Sequence, residues 1–362
     1  MRNAVDSAFL GGHEAPLAAA ERQLRTPPPD VTEAEAIAVA KGFYGIEGKA
    51  CLLTGERDRN FLITAANGVS HVLKFYNSAE DAPTRALQHG ALQHVRALDF
   101  ACPVPEIRLA LDGQEEVMVP RGDVKTAAAM ISQLPGVNPE AGDLSANLRH
   151  DIGRVIGRLS RALSGYEHPR ADRAILWDMM HVAELRPLAA LIESPKERAS
   201  VERWLDMFSA EILPATTDLP YQTIHNDLSL SNIMVDPIRR DRVTGVIDFG
   251  DIVRAPRINE FAVAASYFIS QNADPVQSIG EILGGIDPGL QLLPEEIGLL
   301  PELIKARLAT RILLSGWRAQ LFPCNQTYIL RSTLSAWVVW RQFEAVDKKT
   351  LRNGLLPFMA MG

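Results

Sequence analysis

The apolar periodicity of this chain changes once, at Leu134-Pro135-Gly136-Val137, and that change limits the fold more than any other feature. Before it, short apolar runs alternate with Gly, Asn and Asp. ACLLTG, NFLITAANG and VSHVLKFY, and later VPEIRLALDG, EEVMVP and TAAAMISQL, read as strands of one small antiparallel sheet. Their one helical interruption, PTRALQHGALQHVRALDF, sets Leu87, Ala91, Leu92, Val95 and Leu98 on a single stripe. Beyond the break, residues 145–164 place Leu148, Ile152, Val155, Ile156, Leu159 and Leu163 at helical spacing. Similar patterns predict helices near 180–193, 197–213, 257–270, 289–317 and 326–346. Strands followed by helices predict an α+β chain with a strand-rich lobe over 31–134 and a larger helical lobe over 135–362. Residues 1–30 read as an arm, punctuated by GG and PPP, in which AAAERQL forms one or two helical turns. The stretch 31–45 opens on a capping box, Thr32 with Glu35, and predicts a short helix ending near Gly42 or Gly45.

A length of 362 residues with 47% hydrophobic composition can bury a large core. The formal charge of −7 excludes a general nucleic-acid binder, which needs excess positive charge. It leaves nucleotides open, since a few local cations and a metal handle a triphosphate. Cys51, Cys102 and Cys324 lie far apart with no CxxC pair, which suits a reducing compartment. No apolar run approaches the ~18 residues of a membrane span, and no signal-like segment opens the sequence, so a cytoplasmic protein is expected. A homodimer stays open as its assembly.

Residues 225–232, HNDLSLSN, crowd short polar side chains against the apolar run Ile233-Met234-Val235. The chain then reads VDPIRRDRVTGVIDFGD, where Asp-Pro and the charged RRDR mark a turn between two strand-like segments. In such a hairpin Asn232 and Asp248 sit at neighbouring ends, and Asp227 lies in the loop entering the same place. A carboxylate and an amide oxygen are hard ligands suited to Mg2+, which keeps several waters and takes few protein ligands. A second carboxylate can orient a hydroxyl and accept its proton, which is much of what a kinase must do. Each residue alone could instead make turn and cap hydrogen bonds. The HxD, the five-residue step to Asn232 and the downstream DFGD together favour chemistry.

HNDLSLSN followed by GVIDFGD resembles the catalytic loop and metal segment of the aminoglycoside phosphotransferase and choline kinase-like superfamily. These are small-molecule kinases with a bilobal, protein-kinase-like fold. The resemblance implies that Asp227 is the catalytic carboxylate, that Asn232 and Asp248 bind Mg2+, and that His225 braces the loop. Asp251 would shape the metal segment. Lys74, on the strand HVLKFY, would reach the α- and β-phosphates of ATP or GTP. TGERDRNF resembles the nucleotide-covering loop, with Gly55 permitting the turn and Arg57 or Arg59 adding charge. ISQLPG is placed like the hinge, where Gln133 and Leu134 would offer backbone groups to the base. Kinases of this kind usually carry a glutamate on the following helix to orient the lysine. Here Gln88 occupies the aligned position and would hydrogen-bond Lys74, with Glu80 the nearest acidic alternative.

YGIEG, GERDRNF with VLKFYN, AILWDM and VIDFGDIVRAPRINEFAVAASY are similar to hydroxylysine kinases and their bacterial relatives, and span residues 44 to about 270. The acceptor implied is 5-hydroxylysine, with homoserine second and choline-like alcohols or aminoglycosides behind. Trp177, Asp178, Arg254, Arg257 and Glu260 are candidates to line a zwitterion site. The reading from another class is a nucleotide-binding pseudokinase or adaptor, to which the departure at Gln88 lends some support.

Overall fold

The computed structural model describes residues 15–55, 57–98, 102–269, 274–331 and 333–359. Its first half is the expected antiparallel sheet. Strands β1 (Gly48–Leu53), β2 (Arg59–Ala65) and β3 (Ser70–Phe75) follow one another, and β3 pairs with the long β6 (Val124–Ser132). The far side of β6 is shared by β4 (Ile107–Arg108) and β5 (Glu116–Arg121). Alternation along the strands buries Phe61, Ile63, Leu73 and Phe75 in a small core closed by Val39 and Tyr44 of a helix, Glu33–Tyr44. That helix carries the capping box predicted for Thr32 and Glu35, and it ends at Gly45 in the left-handed region. Register places Asn60 opposite Lys74, so both point to the same face of the sheet.

The remainder is built on helices. The helix Pro294–Leu321, here α8, runs through a second and much larger core. Around it lie α1 (Ala15–Arg25), α3 (Ala82–Ala97), α4 (Ala146–Leu163), α5 (Pro195–Met207), α6 (Ile258–Phe268), α7 (Pro275–Leu283) and α9 (Thr333–Ala345), with Glu33–Tyr44 as α2. Helix α1 is longer than the one or two turns expected, because Ala20 and Leu24 bury against this core and Arg25 stacks 5.0 Å over the ring of Trp317. Residues 1–14 of the expected arm lie outside the described residues.

Several local expectations change. The helix expected near 180–193 is a 3-10 helix over Met179–Leu191, whose Pro187 removes a backbone donor. The 197–213 pattern is α5 followed by a wider π turn, Phe208–Ile212. VPEIRLALDG contributes only two residues of strand. The pairing of β7 (Tyr221–Ile224) with β10 (Val253–Pro256) was not anticipated, since each is a four-residue strand without a period-two signature. The hairpin is present as β8 (Ile233–Val235) and β9 (Val243–Val246), the second strand stopping short of Asp248. Among the described residues, no helix is long and apolar enough to cross a membrane.

Candidate active site

The polar loop begins where β7 ends. Two successive amides, those of His225 and Asn226, aim at one carboxylate, and the chain then turns at Asn226, which takes a positive φ of 65°. Glu260 of α6, wholly buried, accepts from His225 N at 2.6 Å and from Asn226 N at 3.1 Å. The imidazole of His225 is buried too. Its Nδ1 accepts the Asp227 amide at 3.2 Å, so the proton sits on Nε2, which faces the carbonyl of Ile247 at 3.1 Å. Burial pushes this imidazole down to about 4, leaving it neutral near pH 7. The ring thereby ties the loop to the segment following the hairpin, and it stands edge-on to Phe249 at 4.7 Å.

Asp227 is held from both sides. Asn232 Nδ2 donates to its Oδ2 at 2.6 Å, and Arg307 Nη2 donates to its Oδ1 at 2.8 Å. Burial pushes the Asp227 carboxyl up to about 7, with Arg307 opposing and Asp251 and Asp248 adding to the rise.

Asn232 and Asp248 are neighbours, as the hairpin reading requires. Ile233 pairs with Val246, and Ile247 N donates to Asn232 O at 2.9 Å, which brings Asp248 alongside. Both hydrogens of Asn232 Nδ2 go to acceptors on Asp227, its Oδ2 and its backbone oxygen at 3.0 Å. That fixes the amide orientation and leaves Oδ1 to point elsewhere. Asp248 adopts a φ of 64°, and its Oδ1 accepts from Gly250 N at 3.2 Å. Burial would raise this carboxyl, but Lys74 and Arg57 offset that and hold it down at about 2. One amide oxygen and one firmly ionised carboxylate fit Mg2+ with its retained waters. No group of three or more His, Cys, Asp or Glu able to hold a metal occurs among the described residues.

Lys74 reaches this site from β3. Its Nζ lies 2.8 Å from Asp58 Oδ2 and 3.5 Å from Asp248 Oδ1, and 5.2 Å from the centre of the Tyr76 ring. The expected contact from Gln88 is not made. Gln88 is buried in α3 and donates to Glu80 Oε1 at 2.9 Å, while the ammonium takes an anionic partner in preference to a neutral amide. The loop expected to cover nucleotide reaches the segment after the hairpin, with Arg57 Nη1 2.7 Å from Asp251 Oδ1. Gly55 sits at its turn, where an added Cβ would approach Asp58 O at 3.2 Å. Arg59 instead points away, toward the Val31 carbonyl at 3.4 Å. After β6 the chain passes Gln133 and Leu134. Among the described residues, no backbone hydrogen bond ties either one to the rest of the chain. Leu134 lies over Gly245, and Thr244 Oγ1 donates to Pro135 O at 2.7 Å.

Two participants were missed in the sequence. Arg307 lies 80 residues beyond Asp227, on α8, in no motif. Asp58 stands in the RDR before β2, where the strand register could have pointed to it. Of the candidate acceptor residues, Trp177 reaches the site. Its carbonyl accepts from Arg307 Nη1 at 2.5 Å, and its ring lies 5.2 Å from that guanidinium. Arg257 pairs with buried Glu296 at 2.7 Å, Glu260 is spent on the loop amides, and Asp178 accepts from Met180 N at 3.0 Å. Arg254 stays half-exposed, 3.8 Å from Asp172.

Residues 52–291 match the model of the phosphotransferase enzyme family. The hydroxylysine kinase of Mus musculus is 25% identical over 350 residues, covering 90% of this chain and 92% of its own length. The homoserine kinase of Gluconobacter oxydans is 29% identical over 197 residues, covering 54% of this chain and 58% of its own. Among solved structures, an amicoumacin kinase in complex with AMP-PNP, Ca2+ and Ami superimposes with a TM-score of 0.66 at 14% identity, covering 89% of this chain and 97% of that one.

Proposed function

This chain belongs to the phosphotransferase enzyme family, and from that premise we propose that it moves the terminal phosphoryl group of ATP or GTP onto a hydroxyl of an amino acid or amino alcohol, 5-hydroxylysine first. The observation that carries this reading is the placement of Asp227 between Asn232 and Arg307, beside a segment that also brings Lys74 within 3.5 Å of Asp248. Each Asp227 oxygen keeps a lone pair beyond its one held contact, enough to accept an acceptor hydroxyl. Asp227 orients that hydroxyl and takes its proton as the oxygen bonds to the γ-phosphorus and the nucleoside diphosphate departs. Lys74 holds the α- and β-phosphates, Gly55 and Arg57 belong to the loop above them, and the backbone of Gln133 and Leu134 faces the base. Gln88 acts behind this layer, on Glu80. Asn232 and Asp248 would hold Mg2+, which when bound neutralises charge on the phosphate oxygens. His225 keeps the loop in register with the metal segment.

In this reading residues 31–134 serve the nucleotide and 135–362 the acceptor, in a cytoplasmic protein whose three cysteines are unpaired. The choice of 5-hydroxylysine rests on a likeness to the mouse hydroxylysine kinase that runs nearly the full length of both chains. Homoserine is second, because its kinase from Gluconobacter oxydans matches about half of this chain. The adaptor reading loses its motive, since Lys74 has a carboxylate partner after all.

The test is an acceptor screen with purified protein, Mg2+ and ATP or GTP, reading phosphorylated product by mass. Acceptors are 5-hydroxylysine, homoserine, serine, ethanolamine, choline and kanamycin. A clear preference for 5-hydroxylysine is expected. Product on another acceptor would keep the chemistry and retire that substrate, and nucleotide binding without product would return the adaptor.

A further inference from the structure

Lys74 needs a fixed anion to hold its ammonium against the phosphates, and the usual helix position offers only Gln88. We infer that Asp58 is the positioning residue for Lys74, supplied by strand register and not by a helix. The inference rests on the kinase reading above only in taking Lys74 as the phosphate ligand.

The register makes the case. Asn60 on β2 stands opposite Lys74 on β3. Continuing that antiparallel count sets Asp58 level with Tyr76, two residues along, on the same face and diagonal to Lys74. The diagonal spacing is within reach of a long side chain, and Nζ lies 2.8 Å from Asp58 Oδ2. The second oxygen of Asp58 is also committed, accepting from Asn77 N at 2.8 Å.

Asp58 is therefore anchored to the end of β3, although it sits at the edge of the nucleotide loop. Asn77 is buried and completes the anchor. Its Nδ2 contacts the carbonyls of Arg57 at 3.0 Å, Pro27 at 3.1 Å and Thr26 at 3.2 Å, while its Oδ1 accepts from Ala79 N at 2.9 Å. The carboxylate and the lysine thus ride on one paired unit and keep their separation without help from α3.

The other acidic candidate, Glu80, is buried and makes its side-chain hydrogen bond to Gln88, whose amide it accepts at 2.9 Å. Burial, with Asp58 nearby, pushes its carboxyl toward the neutral form. Gln88 and Glu80 satisfy each other, and Asp58 remains to pair with the ammonium.

The test measures nucleotide affinity directly, by calorimetry with Mg2+ and AMP-PNP, so that it needs no acceptor. It is repeated as steady-state kinetics with 5-hydroxylysine. Removing one charge-assisted contact should weaken nucleotide binding about tenfold or more in Asp58→Asn, with the thermal unfolding midpoint close to wild type. Asp58→Glu should restore part of that loss, and Glu80→Gln should stay within about twofold of wild type, because an amide oxygen at position 80 can still accept from Gln88 Nε2. The decisive measurement is the double variant. Asp58→Asn added to Lys74→Met should cost nothing further, because the two act as a unit. Unchanged or tighter binding in Asp58→Asn, or full additivity with Lys74→Met, overturns the inference. If no acceptor is phosphorylated while the binding cycle is non-additive, the positioning role stands and the kinase reading falls. If product forms but Asp58→Asn is silent, the reverse holds.

Discussion

Arg307 and Asp227 form an ion pair at 2.8 Å in which the guanidinium is 1% exposed, lies 5.2 Å from the Trp177 ring and 6.0 Å from the Tyr267 ring, and donates to the Trp177 carbonyl. One planar cation thus fixes the Asp227 carboxylate to the wall formed by Trp177, in the turn before the 3-10 segment, and Tyr267 of α6. A lysine could reach one of those acceptors but not both, because it lacks the fork.

Arg307→Lys should therefore fold and bind nucleotide within about threefold of wild type, while kcat falls roughly 10- to 100-fold, as expected when one charge-assisted contact to the proposed catalytic carboxylate is lost. Steady-state kinetics against both substrates will separate the effects. A change confined to nucleotide KM would remove Arg307 from this role.

Asp227→Asn keeps the shape of the side chain and removes the proposed proton acceptor. Phosphoryl transfer should drop by about 10²–10⁴-fold, the usual contribution of a positioned general base, while AMP-PNP affinity is nearly unchanged. Rapid-quench product analysis together with calorimetry checks both parts. Wild-type turnover would sink the assignment.

Asp248→Ala deletes the ionised half of the proposed Mg2+ pair. The Mg2+ concentration for half-maximal activity should rise about tenfold or more, and chelation of Mg2+ should abolish transfer in the wild type. An unaltered Mg2+ titration curve would count against the assignment.

His225 links buried chemistry to pH-dependent stability. Its folded value near 4 lies below the ordinary 6.5, so between these limits the unfolded chain binds the extra proton. Above pH 6.5 the imidazole is neutral in both states and carries no penalty. As pH falls toward 4, the wild type should lose up to about 3 kcal/mol through this group, at about 1.4 kcal/mol per unit. Unfolding of wild type and His225→Gln, compared from pH 7 to pH 4, isolates the effect. Parallel curves would exclude it.

Gly153 tests the helical lobe away from any chemistry. A Cβ placed there would meet Ile282 O at 1.8 Å, so α4 and the end of α7 approach only because position 153 has no side chain. Gly153→Ala should destabilise the protein by about 2–3 kcal/mol through overpacking against rigid backbone. Calorimetry reads this as a lowered midpoint, and an unchanged midpoint would mean the helices separate at little cost.

The proximity of Asp227, Asn232 and Asp248 was legible because the segments that carry them are local. HNDLSLSN, the Asp-Pro turn and DFGD lie within 27 residues, and hairpin pairing carries Asn232 to Asp248 whatever the rest of the chain does. The capping box at Thr32 is equally local. Alternation in β2 and β3 likewise determined which face Lys74 takes. Motif position failed at Gln88, because side-chain burial in α3 and the competing carboxylate of Asp58 decide which group reaches the ammonium.

By itself, then, the sequence determined the strand-to-helix order, the loop that bears Asp227 and the hairpin that joins Asn232 to Asp248. Those features depend on periodicity, turn chemistry and contacts between near neighbours, all of which are written in short stretches of chain. The tertiary structure alone decided that Arg307 would hold Asp227, that Glu260 would gather the amides of His225 and Asn226, and that α1 would lie on the helical core. Those partners stand 80, 35 and 34 residues apart for the first three contacts. No local pattern encodes such pairings, because they follow from how the helices bury their apolar faces together and from the need of every buried charge for a partner.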